Sequence, residues 1–322
     1  MPSVWEVKKP LLLLLLLSAF WACEEVPQTL FEKESFLQIN GSEVYVKEMA
    51  MGATEEAAYA REPLIIVHGG PVMDHSYFLP YFNELAESYR LIFYDQRACG
   101  KSSIEVDRSS MSLDGFVEDI ELLRQALNLD KINLLGHSWG GMLAMKYGIK
   151  HADRLDKLIL SNSMAPSSTD WQKENVRVGA RVTQSDIKAR EALMSSGILQ
   201  SDDPREGVKT LLRQSFKYQM YDTANLDRLN LFIPLDYMAR SQVFGLLGPG
   251  LSNFDLYADL NKITCPTLLV YGETEHARDL YTDKMLSILP KAQMEIVTKA
   301  GHFPFVEQQA GYNDLIKKFL RD

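Results

Sequence analysis

A serine flanked by two glycines is the first place in this sequence of 322 residues where residue types and spacing point to chemistry. Gly136, Ser138 and Gly140 come directly after the apolar run 132–135 and directly before a helical pattern. A strand that turns sharply into a helix brings backbone segments together, so residues without Cβ are needed on both sides of the turn. The helix N-terminus would favour developing negative charge near the hydroxyl. We therefore predict that Ser138 is a nucleophile.

The elements that must position this serine are predicted by apolar runs along the chain. Near-continuous runs of this kind are typical of parallel strands covered on both faces. They lie at residues 64–67, 91–94, 132–135, 158–160, 267–271 and 294–297. Helical patterns separate them, most clearly at 114–127, and a hairpin signal, Asn40-Gly41, joins the runs 36–39 and 44–46. This alternation predicts an α/β fold with a mostly parallel open sheet and helices on both faces.

One long interval interrupts the alternation. Between the run that ends near Ser161 and the run that begins at Thr267, the pattern is mostly helical, with almost no strand-like alternation. We interpret residues 165–250 as an inserted helical cap. The core would then consist of two parts, residues 36–164 and residues 251–322.

The N-terminal segment has the pattern of an export signal. Lys8 and Lys9 precede the apolar run 10–22, which is about half the length of a membrane span. The run ends before Cys23 and is similar to a bacterial lipobox, so we predict a signal peptide at 1–22, lipidation of Cys23 and a tether at 23–35. The protein would be exported to the bacterial cell envelope, with membrane attachment through Cys23. Plain secretion and an uncleaved anchor remain alternatives.

Composition excludes several classes of partner and cofactor. The 34 Lys and Arg residues are outnumbered by 43 Asp and Glu, and the net charge of −9 argues against nucleic-acid binding. Three cysteines without a CxxC pair exclude a disulfide scaffold and the usual zinc knuckle. We expect no metal and no cofactor. Cys99 and Cys265 are expected to be buried free thiols.

Four sequence blocks carry a resemblance to a known family. They are His68-Gly69-Gly70-Pro71, Asp95-Gln96-Arg97 with Gly100-Lys101-Ser102, Gly136-His137-Ser138-Trp139-Gly140-Gly141, and Gly301-His302. In this order the chain resembles the α/β-hydrolases, and more narrowly the prolyl aminopeptidase (proline iminopeptidase) family of serine peptidases. The resemblance implies the α/β-hydrolase fold and a Ser-His-acid triad that needs no cofactor. Val72 stands where the family usually has a glycine.

The resemblance also assigns roles to individual residues. The backbone N–H groups of Gly70 and Trp139 would form the oxyanion hole. His302, which follows the last strand, would be the general base. Glu275 occupies the position at which the family has its acid, with Glu273 and Asp279 as alternatives. Arg97 is expected to brace loops.

Three functions remain open at this stage. The first is an aminopeptidase or amidase that releases an N-terminal residue from small peptides through an acyl-enzyme. The second is a carboxylesterase or thioesterase for small acyl substrates, and the third is a non-catalytic binding protein of the same fold. A free α-ammonium must be met by a carboxylate, but His276 stands where relatives have a glutamate. Sequence does not select among the cap acids Glu174, Asp222, Asp227, Asp236 and Asp255.

Overall fold

The computed structural model describes residues 1, 27–70, 72–276 and 278–322, and within them the chain forms one eight-stranded sheet. The strands are β1 (Thr29–Ile39), β2 (Ser42–Gly52), β3 (Pro63–Val67), β4 (Arg90–Tyr94), β5 (Ile132–His137), β6 (Leu155–Ser161), β7 (Thr267–Gly272) and β8 (Ala292–Val297). Their order is β1-β2-β4-β3-β5-β6-β7-β8. The pairs β1–β2 and β2–β4 are antiparallel, and all the others are parallel.

Helices cover both faces of the sheet. They are α1 (Glu55–Tyr59), α2 (Leu113–Ala126), α3 (Trp139–Lys150), α4 (Ser168–Gly179), α5 (Gln184–Ser195), α6 (Arg205–Phe216), α7 (Tyr237–Phe244), α8 (Gly248–Leu251), α9 (Thr282–Ile288), α10 (Pro304–Glu307) and α11 (Gln309–Arg321). Every residue of β5 and β7 is buried. Since successive side chains of a strand point to opposite faces, both faces of the central sheet are covered. The predicted fold class is therefore confirmed.

The N-terminal hairpin is longer than its sequence pattern indicates. Asn40 and Gly41 have φ of 50° and 75°, the conformation that a tight hairpin turn requires. The two strands pair from Ile39 with Ser42 out to Thr29 with Gly52. The predicted tether at 23–35 is therefore wrong from Thr29 onward. Most of β1 lies exposed at the sheet edge, so its side chains do not show the alternation that a half-buried strand would have.

The interval between β6 and β7, where the sequence predicts the cap, contains α4 to α8. No helix among the residues described is both long and apolar enough to cross a bilayer. Cys99 and Cys265 are buried free thiols, as predicted. The predicted signal peptide and Cys23 lie outside the described residues.

Candidate active site

The predicted nucleophile lies at the tight turn between β5 and α3. Ser138 has φ 56° and ψ −120°, a left-handed conformation that a non-glycine residue rarely adopts. A Cβ on Gly136 would collide with the backbone of Gly140, and a Cβ on Gly140 would collide with the backbone of Val67. Both glycines are therefore needed for the strand and helix to meet here. The turn leaves Ser138 on the wall of a cavity of about 460 Å³.

Glu275 and His302 reach the same cavity from two loops that follow β7 and β8. His302 Nδ1 and Glu275 Oε2 are 2.7 Å apart, and both side chains are buried. Because the carboxylate can only accept, the bond fixes a hydrogen on Nδ1 and leaves Nε2 as the basic nitrogen. In the described part of the chain no hydrogen bond joins Ser138 to the His302 ring. Such bonds are often long until a substrate is bound.

The two alternative acids do not contact His302. Glu273 Oε2 accepts from the backbone N–H of Lys299 over 2.8 Å at the surface. Asp279 Oδ1 accepts from the guanidinium of Arg177 over 2.6 Å, also at the surface. Of the three carboxylates considered, Glu275 is the one that the fold brings to the imidazole.

Asn162 is a site residue that the sequence analysis missed. Its Nδ2 donates to Glu275 Oε2 over 2.5 Å and to the carbonyl of Gly301 over 3.2 Å. Its φ of 42° is left-handed, a conformation that asparagine tolerates better than most residues. The available signal was an asparagine directly after the apolar part of β6, where parallel strands deliver side chains to one edge of the sheet.

The imidazole and the carboxylate stabilise each other's charge. Burial alone would lower the pKa of His302, but the charge and hydrogen bond of Glu275 outweigh it and raise that pKa above its ordinary value. Burial alone would raise the pKa of Glu275, but the imidazole of His302 and the amide of Asn162 hold it well below its usual range. Glu275 is therefore ionised at neutral pH.

The two predicted oxyanion-hole donors lie side by side. A Cβ on Gly70 would lie 3.4 Å from the Trp139 ring. Trp139 is the first residue of α3, so its N–H has no acceptor within the helix. The N–H of Gly69 donates to the Tyr77 hydroxyl over 2.6 Å, whereas the N–H of Gly70 has no partner among the described residues. Gly70 and Trp139 line the same cavity as Ser138, and neither N–H has a hydrogen-bond partner in the part of the chain that the structure describes.

A buried glutamine connects the loop of Gly70 to the start of α3. Gln96 Nε2 donates to the His68 carbonyl over 2.7 Å, in the loop that carries Gly70. Gln96 Oε1 accepts from the Trp139 indole N–H over 2.8 Å. Gln96 therefore sets the spacing between the Gly70 loop and the start of α3. Arg97, expected to brace loops, pairs with Asp119 and donates to the Gly115 carbonyl.

A second buried chain of hydrogen bonds links the Gly70 loop to the His302 loop. His137 Nε2 donates to the His302 carbonyl over 2.8 Å, and His137 Nδ1 is 2.9 Å from the Tyr77 hydroxyl. Burial lowers the pKa of His137 to about 3, so the ring is neutral and Nδ1 accepts from Tyr77. Tyr77 in turn accepts from Gly69. The chain joins Gly69 to the backbone of the candidate base.

The cap also holds the loop of His302. The His302 N–H donates to the carbonyl of Gln219 over 2.7 Å. Glu307 accepts from the N–H of Gly301 over 2.7 Å and from the N–H groups of Tyr221 and Asp222 in the cap. The segment 219–222 of the insertion is therefore part of the support of the imidazole.

One cap acid reaches the cavity. Glu174, on α4, lines it, and its Oε2 is buried with no hydrogen-bond partner in the described chain. Burial and the nearby charge of Glu275 raise the pKa of Glu174 to about 8. The remaining cap acids have other contacts: Asp222 caps a short helix, Asp227 and Asp236 pair with arginines, and Asp255 accepts from a backbone N–H.

The rest of the cavity wall is mainly apolar. Its large side chains are Trp171, Phe216, Phe244, Met164 and Leu251. His276, at the position where the family resemblance would put a glutamate, donates from Nε2 to the carbonyl of Tyr218, and the guanidinium of Arg181 lies 2.9 Å from the same nitrogen. It is not among the residues that line the cavity.

The chain is similar to known proteins in both sequence and fold. A family model described as the alpha/beta hydrolase fold matches residues 62–309. A proline iminopeptidase of Heyndrickxia coagulans is 32% identical over 270 residues, which cover 80% of this chain and 90% of that protein. A solved proline iminopeptidase of Mycobacterium smegmatis has a TM-score of 0.67 at 20% identity, covering 90% of this chain and 98% of its own. An esterase of Exiguobacterium antarcticum has a TM-score of 0.65 at 21% identity, covering 90% and 100%.

Proposed function

Because this chain belongs to the α/β-hydrolase family and is a hydrolase, we propose that it acts through Ser138, His302 and Glu275 by way of an acyl-enzyme. His302 Nε2 takes the Ser138 proton as Oγ attacks the substrate carbonyl carbon. The carbonyl oxygen becomes an oxyanion and accepts from the N–H groups of Gly70 and Trp139. His302 then protonates the leaving group as its bond to carbon breaks. A water attacks the acyl-enzyme while His302 takes its proton, and His302 returns that proton to Ser138 Oγ as the bond between Oγ and the acyl carbon breaks and the acid is released.

We further propose that the substrate is a small peptide or amide with a free N-terminal amine. The observation that carries this proposal is Glu174: a buried carboxyl group with an unpartnered oxygen on the cavity wall. Such a group needs a cation or a donor to offset its burial. The other carboxylate on the described cavity wall, Glu275, is already occupied by His302 and Asn162. Similarity to proline iminopeptidases supports the same reading.

The apolar wall supports a small apolar first residue. Trp171, Phe216 and Phe244 give the cavity aromatic surface, and its volume of about 460 Å³ is in the range of small-molecule sites. An N-terminal proline combines a compact apolar ring with a charged amine. Such a residue fits a cavity in which one carboxyl group has an unpartnered oxygen and the large side chains are apolar.

The test compares the 4-nitroanilide of L-proline with its N-acetylated form. We expect Glu174→Gln to lower kcat/KM for the free amine by about 100-fold, since removing one partner of a buried ion pair is strongly destabilising. The acetylated substrate should be turned over poorly by both forms. Glu206→Gln is the matched control, because Glu206 is an exposed cap acid that pairs with Lys209. Equal rates on both anilides would contradict the aminopeptidase proposal.

A second candidate, an esterase for small acyl groups, is favoured by the pKa of Glu174. With a pKa of about 8, Glu174 is mostly neutral at pH 7 when no cation is bound. It then contributes no negative charge that would attract an ammonium group to the cavity. If kcat/KM for 4-nitrophenyl butyrate exceeds that for the anilide and Glu174→Gln leaves it unchanged, this candidate replaces the first. For both, a fluorophosphonate probe should label the protein and fail to label Ser138→Ala.

We also propose that the chain is exported and lipidated at Cys23. The basic and apolar N-terminal pattern supports this, and β1 begins at Thr29, so that a short linker would separate an anchor from the sheet. Intact-mass analysis of the membrane fraction tests it. Cys23→Ala should lose the lipid and move to the soluble fraction, and an unmodified N-terminus in the native protein would contradict the proposal.

A further inference from the structure

The loop that carries Gly70 contains a strained valine. Val72 has φ 56°, in the left-handed region. The other non-glycine residues with positive φ in the described chain are Asn40, Ala98, Asn128, Ser138, Asn162 and Lys299, so Val72 is the β-branched member of the set. A branched Cβ makes this conformation a steric outlier, whereas glycine adopts it freely. Strain of this kind persists only where the surrounding structure holds the residue in place, and it clusters at active sites and ligand contacts.

Val72 lies between two cavities and lines both of them. On one side it lines the cavity of Ser138 and Trp139. On the other it lines a small cavity of about 10 Å³, whose wall includes Leu212, Leu231 and Ile233 from the insertion. Val72 itself is buried, with 2% of its surface exposed. Val72 is thus a partition between the cavity of Ser138 and the small cavity.

We propose that Val72 determines substrate size on this side of the cavity. The valine excludes substituents that would extend from the reacting carbonyl, past Gly70, toward Leu212 and Leu231. The substrate class is thereby restricted to groups that end short of this partition. This inference rests on the proposed function, since it concerns the substrate of the same site. The inference goes beyond the proposed function because the size restriction holds for peptide and ester substrates alike.

The first test measures the size dependence of turnover. Val72→Ala shortens the partition, and Val72→Thr keeps its shape as the matched control. Two series are used: 4-nitrophenyl esters from acetate to octanoate, and acetate esters from methyl to naphthyl. For Val72→Ala we expect the kcat/KM ratio of the bulkiest to the smallest member to rise about 10-fold or more in one series, since one or two methyl groups in a pocket are worth that discrimination. Val72→Thr should leave both ratios unchanged.

The second test measures the strain itself. At a position with negative φ inside a helix, glycine is less stable than alanine. Val176 is such a position, exposed in the middle of α4 and off the wall of the catalytic cavity. We expect Val176→Gly to melt below Val176→Ala, and Val72→Gly to melt at or above Val72→Ala. The same order at both positions would overturn the strain argument.

The outcomes separate this inference from the proposed function. Wild-type protein that turns over neither these esters nor L-proline 4-nitroanilide in a Ser138-dependent way contradicts the proposed function. Turnover that depends on Ser138, with size ratios unchanged in Val72→Ala and Val72→Gly, contradicts only the role of Val72. If the alanine variant does not fold, the glycine variant carries the size test, because it removes the same partition without the strained φ.

Discussion

The Asn162 amide donates to Glu275 Oε2, the same oxygen that is 2.7 Å from His302 Nδ1. The amide therefore fixes the carboxylate oxygen that orients the imidazole. Its second hydrogen bond, to the Gly301 carbonyl, ties that oxygen to the loop from which His302 extends. Asn162 connects acid and base without facing the substrate.

Replacing Asn162 by alanine should weaken catalysis more than folding. The Glu275 carboxylate loses a charge-assisted hydrogen bond, and we expect kcat/KM to fall about 10- to 100-fold. The less stabilised carboxylate attracts the imidazole proton more strongly, so the acid limb of the pH profile should move to higher pH. The comparison is with Asn133→Ala, which removes a buried amide of β5 that contacts the Pro63 carbonyl instead. Equal losses in both variants would indicate a structural effect only.

Removing the charge of Glu275 should be far more damaging than shortening its side chain. In Glu275→Gln the amide no longer stabilises the imidazolium and can hold the wrong tautomer, and we expect a loss in kcat of about 10⁴-fold. Glu275→Asp keeps the charge but withdraws it by one methylene, and an intermediate loss should result. Steady-state kinetics on one ester and one anilide measure both. A glutamine variant as active as the aspartate variant would remove Glu275 from the triad.

For a substrate without an amine, such as 4-nitrophenyl butyrate, whose binding does not require ionised Glu174, the pH dependence of kcat/KM should show a single acid limb that lies above pH 6.5, the ordinary imidazole value. His302 must be neutral to accept the Ser138 proton, and its raised pKa means that it is still protonated just above that value. Activity therefore falls as the pH is lowered through the raised pKa. In Glu275→Gln the limb should move to lower pH, because the charge that raised the pKa is gone. A limb unaffected by this substitution would assign the titration to another group.

Gln96→Met should impair the oxyanion hole without touching the triad. The side chain keeps its length but loses both hydrogen bonds that hold the Gly70 loop against Trp139. We expect kcat to fall about 10- to 100-fold, within what one oxyanion donor is worth, with little change in KM. The affinity of a boronic acid inhibitor should fall in parallel, while the acid limb stays in place. Gln125→Met, at an exposed position of α2, is the control. A rise in KM with an unchanged kcat would contradict a role in the oxyanion hole.

Binding of a free amine should release a proton at pH 7. Glu174 is mostly protonated there because its pKa is about 8, and a bound ammonium group favours the ionised form. Calorimetry of L-prolinamide with Ser138→Ala, in two buffers of different ionisation enthalpy, should detect release approaching one proton. The release should vanish in the double variant with Glu174→Gln. Release that persists there would assign the proton to another group.

The sequence predicted those parts of the site that follow from backbone constraints. Ser138 needs two glycines at fixed offsets, and His302 and Glu275 follow strands whose apolar runs are clear, so both their identity and their neighbourhood could be predicted. Asn162 was missed because its role depends on the register between β6 and β7, which a single sequence does not specify. Glu174 was one of several cap acids. Which of them faces the cavity depends on how α4 packs against the core, and no local pattern specifies that.

The start of β1, at the edge of the sheet, could not be predicted from the sequence either. Strands β3 to β7 are buried on both faces and their apolar runs are visible in the sequence, whereas β1 lies largely in solvent and begins among charged residues. Its pairing with β2 comes from backbone hydrogen bonds that any residue type can make. The start of the fold was therefore placed several residues too late.

The hydrogen bond from the His302 backbone to Gln219 has a consequence for protein engineering. The insertion cannot be exchanged as an independent unit, because the backbone of residues 219–222 is hydrogen-bonded to His302 and to Glu307. A chimera that takes the entire insertion from a relative would replace residues 219–222, which hold the His302 loop, together with the insertion residues that line the cavity. Crossovers placed on both sides of residues 219–222 would transfer the cavity lining and keep the native contacts to the His302 loop.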